Sequence, residues 1–204
     1  MAANPKNLDL TIYQGRTFRH VVRWETTPTV YKEITGITQT APAVITAVGH
    51  GVKTGWYVAV TDVGGMTEIN AAANAPRSGD YVQATFVDAD RLSLDTVDAA
   101  RFSAYTSGGY LRYNTPKDLS GAVARMDLRD RVGGTLLLSI SSTTGEIVLD
   151  NTEHMIVVEL PAAVTELMGY KKAVYDLEVE TNDGAVSVLL AGSVTVIPEV
   201  TTSV

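Results

Sequence analysis

The chain has 204 residues, with 23 acidic and 16 basic side chains and a formal net charge of -7. Hydrophobic residues make up 45% and charged residues 19%, an ordinary globular balance in a chain long enough to bury a substantial core. Cysteine is absent, which removes disulfides, thiolate metal sites and thioester chemistry together, and the acidic balance without a basic cluster argues against a nucleic-acid or anionic-membrane surface.

Met1 to Lys6 lacks the continuous apolar stretch of a signal peptide, so no export is expected. The longest apolar runs, Leu136 to Leu138 and Val186 to Ala191, fall far short of the roughly 20 residues of a membrane-spanning helix. Most of the chain instead alternates with period two, the pattern of half-buried strands. Over Phe18 to Trp24, Phe18, His20, Val22 and Trp24 share one face, and Arg19, Val21 and Arg23 the other.

From Gly36 to Tyr113 charges thin out and small residues accumulate, as in Val63-Gly-Gly-Met66 and Ala71-Ala-Ala-Asn-Ala75. Short strands are predicted at Ala43 to Val48, Trp56 to Thr61, Tyr81 to Val87 and Arg91 to Asp95, with a longer loop over Asn70 to Gly79. The segment carries its own hydrophobic set between turn residues, so 36–113 is read as a small β-barrel or sandwich module inserted into a discontinuous outer domain of 1–35 and 114–204.

In the outer domain, Ala122 to Arg129 sets Ala122, Ala124, Met126 and Leu128 against Val123, Arg125, Asp127 and Arg129, and a second strand is predicted over Thr135 to Ser141. Leu160-Pro-Ala-Ala-Val-Thr-Glu-Leu-Met-Gly169 breaks the rhythm, with proline read at the first helical position and glycine past the end. It predicts a short helix crossing between the sheets of a sandwich. Ala173, Tyr175, Leu177 and Val179 then alternate with Val174, Asp176, Glu178 and Glu180, and Asn182-Asp183-Gly184 predicts a hairpin to the final strand.

Two resemblances attach to these segments. Gly49-His-Gly51, Gly65-Met-Thr-Glu-Ile-Asn70 and Tyr105-Thr-Ser-Gly-Gly109 occur in an order that resembles the β-module named after the first catalytic cysteine half-domain of ubiquitin-activating enzymes, which recurs in bacteriophage virion proteins. Tyr13-Gln-Gly-Arg-Thr-Phe18, Asp118-Leu-Ser-Gly121 and Val174-Tyr-Asp-Leu-Glu-Val179 resemble the immunoglobulin-like domain at the N-terminus of phage baseplate upper proteins. Together they imply an all-β fold, an Ig-like sandwich with one short helix plus the inserted module. They also imply a structural protein of a tailed phage, located in the tail or baseplate of the virion and in the host cytoplasm during assembly. Such a connector or adaptor would contact other phage structural proteins, as a homo-oligomer or symmetric ring, with host receptor or glycan contact open to the inserted module.

No reactive constellation stands out: there is no nucleophile elbow, phosphate-binding glycine loop or dinucleotide fingerprint, and no cofactor or metal is expected. His20, His50 and His154 lack a second histidine at ligand spacing. Asp88, Asp90, Asp95 and Asp98 could offer oxygens to calcium, but aspartates in short turns commonly bond their own backbone. Glu153, Glu159, Asp176 and Glu178 could in principle supply the carboxylate pair of a glycan hydrolase.

The residues singled out for a contact surface are Arg19 with Arg23 and Arg125 with Arg129. They are read as two cationic rows opposite Asp176, Glu178 and Glu180, where charge sets the register between copies. Solvated strand faces are the simpler alternative. Trp56 and Tyr57 are candidate interface anchors on the inserted module, or part of its core. Pro198 to Val204 is read as a short tail lying on a neighbour. The competing readings for the whole chain are a head decoration, collar or head-fibre protein, a carbohydrate-binding module, and an enzyme.

Overall fold

A computed structural model describes residues 5–200; the last four residues of the expected tail lie outside this range. In chain order the strands are β1 (Lys6–Asn7), β2 (Leu10–Tyr13), β3 (Phe18–Val22), β4 (Glu25–Glu33), β5 (Gly36–Ile37), β6 (Ala43–Thr46), β7 (Trp56–Thr61) and β8 (Val82–Asp88). They continue with β9 (Arg91–Leu94), β10 (Tyr110–Pro116), β11 (Val123–Arg129), β12 (Leu136–Ser141), β13 (Ile147–Asp150) and β14 (Met155–Leu160). Helix α1 (Ala162–Glu166) precedes β15 (Lys172–Glu180) and β16 (Val186–Ile197). The protein is all-β apart from α1 and two short 3-10 turns.

The chain divides into two compact units, residues 1–24 with 116–204, and residues 25–115. The divisions fall at Trp24/Glu25 and Thr115/Pro116 instead of beside Gly36 and Tyr113. The reason is β4, which neighbours β10 at one end of the inserted unit's sheet and therefore belongs to that unit. Pro28 sits within β4, and a proline, having no N–H to donate, is tolerated there because β4 is a sheet edge.

The outer unit is a sandwich of two sheets. The larger has the order β1-β16-β15-β11-β12, with β2 also pairing in parallel with β16; the smaller has the order β13-β14-β3. Alternation sends Ala124, Met126 and Leu128 of β11 and Ala173, Tyr175, Leu177 and Val179 of β15 inward. There they form one core with Ile156, Val158 and Leu160 of β14. Helix α1 carries the chain from β14 in the small sheet to β15 in the large one. It is shorter than the sequence suggests: Pro161 is the residue before the helix, in an extended conformation, and Gly169 lies three residues past Glu166.

At the large sheet's edge the chain passes from β1 to β2 over β16. Leu8 N–H donates to Ala191 O at 2.9 Å, and the Tyr175 hydroxyl donates to Leu8 O at 2.8 Å. Gly192 permits this approach, because a Cβ there would stand 2.2 Å from Leu8 O.

The inserted unit is one seven-stranded sheet, β4-β10-β7-β8-β9-β6-β5. Its two end strands are separated in sequence only by Ile34 and Thr35, so the sheet must roll up, and it does so without its ladder closing into a barrel. Ile34 N–H donates to Gly109 O at 3.0 Å, and Thr35 N–H donates to Thr46 O at 2.9 Å. The interior holds Ile45, Trp56, Val58, Val60, Leu92, Leu94, Leu111 and Tyr113.

Candidate functional site

The outward residues of β11 and β15 form a charged face on the large sheet of the outer unit. Antiparallel register sets Arg125 opposite Glu178, Asp127 opposite Asp176, and Val123 opposite Glu180. Arg125 Nε donates to Glu178 Oε2 at 2.7 Å, and its Nη1 lies 3.9 Å from Glu180 Oε2. Arg129 Nη2 donates to Asp127 Oδ2 at 2.8 Å, while its Nη1 bonds Gly134 O at 3.1 Å in the turn that follows β11. Three of the four acids are therefore matched to arginines within the sheet.

Asp176 is the exception in its electrostatics. Partial loss of hydration between the strands, followed by the negative charges of Glu178 and Asp127, raises its carboxyl above the ordinary aspartate value of 3.8. Arg129 opposes this only weakly. The face is a shallow open depression of ≈ 560 Å³, bounded by Val132 and Gly133 on one side and by Ala191 and Gly192 on the other. Val132 stands almost fully in solvent at the tip of the Asp130–Gly134 turn. Paired charges around a concavity with one projecting apolar side chain suit a second protein surface: the ion pairs fix which groups can face them, and the apolar tip supplies area to bury.

The sequence reading of two cationic rows needs correction. Only Arg125 and Arg129 face Asp176, Glu178 and Glu180. Arg19 lies on β3 in the other sheet, where it sits opposite Glu159 with a nitrogen–oxygen distance of 3.6 Å. Arg23 falls after the end of β3. On the inserted unit Trp56 is buried and stacks edge-on against Tyr113 with ring centres 5.7 Å apart, so it is a core residue and not a surface anchor. Its neighbour Tyr57 points outward, half exposed.

The remaining candidates resolve into local structure. His50 is fully buried: its Nδ1 accepts from Val52 N–H at 3.0 Å, which places the ring proton on Nε2, facing Asp88 O at 2.9 Å and Arg91 O at 3.2 Å. His20, on β3, is half-buried, and loss of hydration followed by the charge of Lys6 lowers its pKa below 6.5. His154 directly precedes β14, in a left-handed turn with φ 53°.

Asp88 accepts from Asp90 N–H and from Arg91 Nε, and Asp98 from Ala100 N–H, each serving its own turn, while Asp90 accepts from Gly49 N–H and so ties its turn to the one after β6. Glu159 and Asp176 lie on different sheets, so the four carboxylates considered for hydrolysis are not gathered in one place. Among the described residues no group of three or more histidine or acidic side chains is arranged to hold a metal ion.

Asp127 belongs to the face although the sequence did not single it out. Its signal was present in the alternation that puts it between Arg125 and Arg129. Its partner across the sheet depended on register, which alternation alone does not determine.

No protein-family model matches the chain, and no curated protein matches it.

Proposed function

We propose that this chain is a structural protein of a tailed phage, a connector or adaptor in the tail or baseplate that works by protein–protein assembly and not by catalysing a reaction. The observation that carries the reading is the outer face of β11 and β15, where arginines and carboxylates are paired in register around an open concavity. Such a face reads a partner's charge pattern and fixes orientation, while repetition of modest contacts in a symmetric assembly multiplies their effect. The partners are other structural proteins or further copies of this chain. The phage resemblances of the two sequence segments give the setting. The excess of acids over bases favours protein partners over nucleic acid.

The test is localisation: phage particles assembled with an epitope-tagged chain are labelled and imaged by cryo-electron microscopy. Label on the tail or baseplate is the expected result. Label on the head would transfer the protein to a decoration, collar or fibre role, and unlabelled particles would overturn the assembly reading.

A further inference from the structure

On the inserted unit, β10 sends Leu111 and Tyr113 into the core and Tyr110 and Arg112 to the outside. Register places Arg112 opposite Ala59 and Tyr110 opposite Thr61 on β7, so Arg112 and Thr61 are diagonal neighbours on the outer face. Outward residues of an edge-proximal sheet are ordinarily wet. Here they are covered, with Arg112 6% and Thr61 4% exposed.

The guanidinium is held by neutral groups alone. Its Nη1 donates to Asn74 Oδ1 at 3.2 Å and its Nη2 to the Tyr31 hydroxyl at 2.8 Å, and Cζ lies 4.7 Å from the centre of the Tyr31 ring. Among the described residues no carboxylate lies within 4.0 Å of it, although the chain carries 23 acids. Arg112 Nε and Thr61 Oγ1 are both buried without a hydrogen-bond partner.

A guanidinium is a permanent cation with five donors. Burying one without a counter-charge is among the least favourable arrangements in a protein, and a cation–π contact offsets only part of it. Beside it stand two open rings, Tyr31 at 52% and Tyr110 at 39% exposure, packed edge-to-face with centres 6.1 Å apart. Arginine and tyrosine side by side on one face are the residue types that dominate binding energy at protein interfaces.

We propose that Arg112 is the anchor for a carboxylate presented by a partner protein, with Tyr31 and Tyr110 packing around the acidic side chain that carries it. The carboxylate supplies the missing counter-charge. Its planar pair of oxygens matches the guanidinium fork, and Tyr31 and Asn74 hold the fork in place for it. The inference is independent of the phage setting: it concerns a different face, and a positive result stands even if the chain is found in no particle.

The test uses the full chain and its arginine Nε–H resonances in nitrogen-15 NMR spectra, with Arg112 assigned from the signal lost in Arg112→Lys. Sodium acetate is titrated in against sodium chloride at equal ionic strength, with sodium phosphate in a parallel arm. The expected result is a saturable shift of the Arg112 signal with acetate, weakened several-fold in Tyr31→Phe, together with a rise in melting temperature over chloride. No saturable shift with acetate in the wild-type protein overturns the proposal, and that measurement needs no variant to fold. Saturation by phosphate alone also overturns it, in favour of a free-anion site.

Discussion

Asp127 and Asp176 stand directly opposite one another on the outer face of β11 and β15, two like charges in the position where cross-strand partners ordinarily attract. Arg129 is bonded to Asp127, and Asp176 keeps the unfavourable share of the arrangement. Because its carboxyl is raised in the folded protein, the native state binds that proton more readily than the unfolded chain does. The charge therefore lowers stability at pH values well above 4 and has no effect below the ordinary value of 3.8. Asp176→Asn should raise the thermal midpoint at pH 7, with a gain of about 0.2–1 kcal/mol, because it removes a charge that partial burial, Glu178 and the opposed Asp127 all disfavour. The same substitution should leave the midpoint unchanged at pH 3. An equal gain at both values would show that charge is not the cause.

The Arg125–Glu178 pair separates stability from recognition. Both side chains retain solvent, so the pair is worth no more than about 1 kcal/mol to the fold. Arg125→Glu should lower stability by about that amount, and adding Glu178→Arg should recover most of it by restoring the pair in reverse. Association with the partner should be lost in both proteins, since the reversed pair presents the wrong sign at each position. Chemical denaturation and sedimentation velocity on the same samples give the two readouts. Recovery of association in the reversed pair would make the face purely structural.

His50 answers for a different kind of stability. Its ring satisfies Val52 N–H and faces the carbonyls of Asp88 and Arg91 inside the inserted unit. Truncation leaves both a cavity and unpaired polar groups. His50→Ala should therefore cost about 2–4 kcal/mol in an unfolding titration of the full chain. A cost below about 0.5 kcal/mol, the range of ordinary surface substitutions, would contradict the buried hydrogen-bonded assignment.

Gly192→Ala tests the edge of the outer sandwich. The added carbon would collide with Leu8 O, pushing the β1–β2 segment away from β16. A loss of about 1–3 kcal/mol is expected, with faster hydrogen exchange at the Leu8 amide, which is bonded to Ala191 O. Unchanged exchange at Leu8 would mean the strand does not approach there.

Much of this arrangement was legible in the residues themselves. Alternation in Ala122 to Arg129 and Ala173 to Glu180 assigned inner and outer faces correctly, and Asp183-Gly184 marked the hairpin that pairs β15 with β16. What alternation lacked was register and long-range pairing. It could not say that Arg19 faces Glu159 in one sheet while Arg125 faces Glu178 in the other. Nor did it place the module's boundary: Glu25 to Glu33 forms β4 of the inserted unit, Pro28 included, because an edge strand needs no donor from Pro28 on its open side. Arg112 is the plainest case. Its outward position predicts a wet side chain, and only the approach of Asn74 and Tyr31, each distant in sequence, buries it.

If the β11–β15 face is the contact surface, it is covered in the assembled state, and side-chain accessibility measures this directly. Arginine-directed modification with phenylglyoxal, read by mass spectrometry, compares the free chain with the chain in intact particles. Arg125 and Arg129 should react readily in the free protein and be protected in the particle, while Arg91, exposed and paired with Asp88 on the inserted unit, reports the general accessibility of the bound chain. Equal reactivity of Arg125 and Arg129 in both states would contradict the claim.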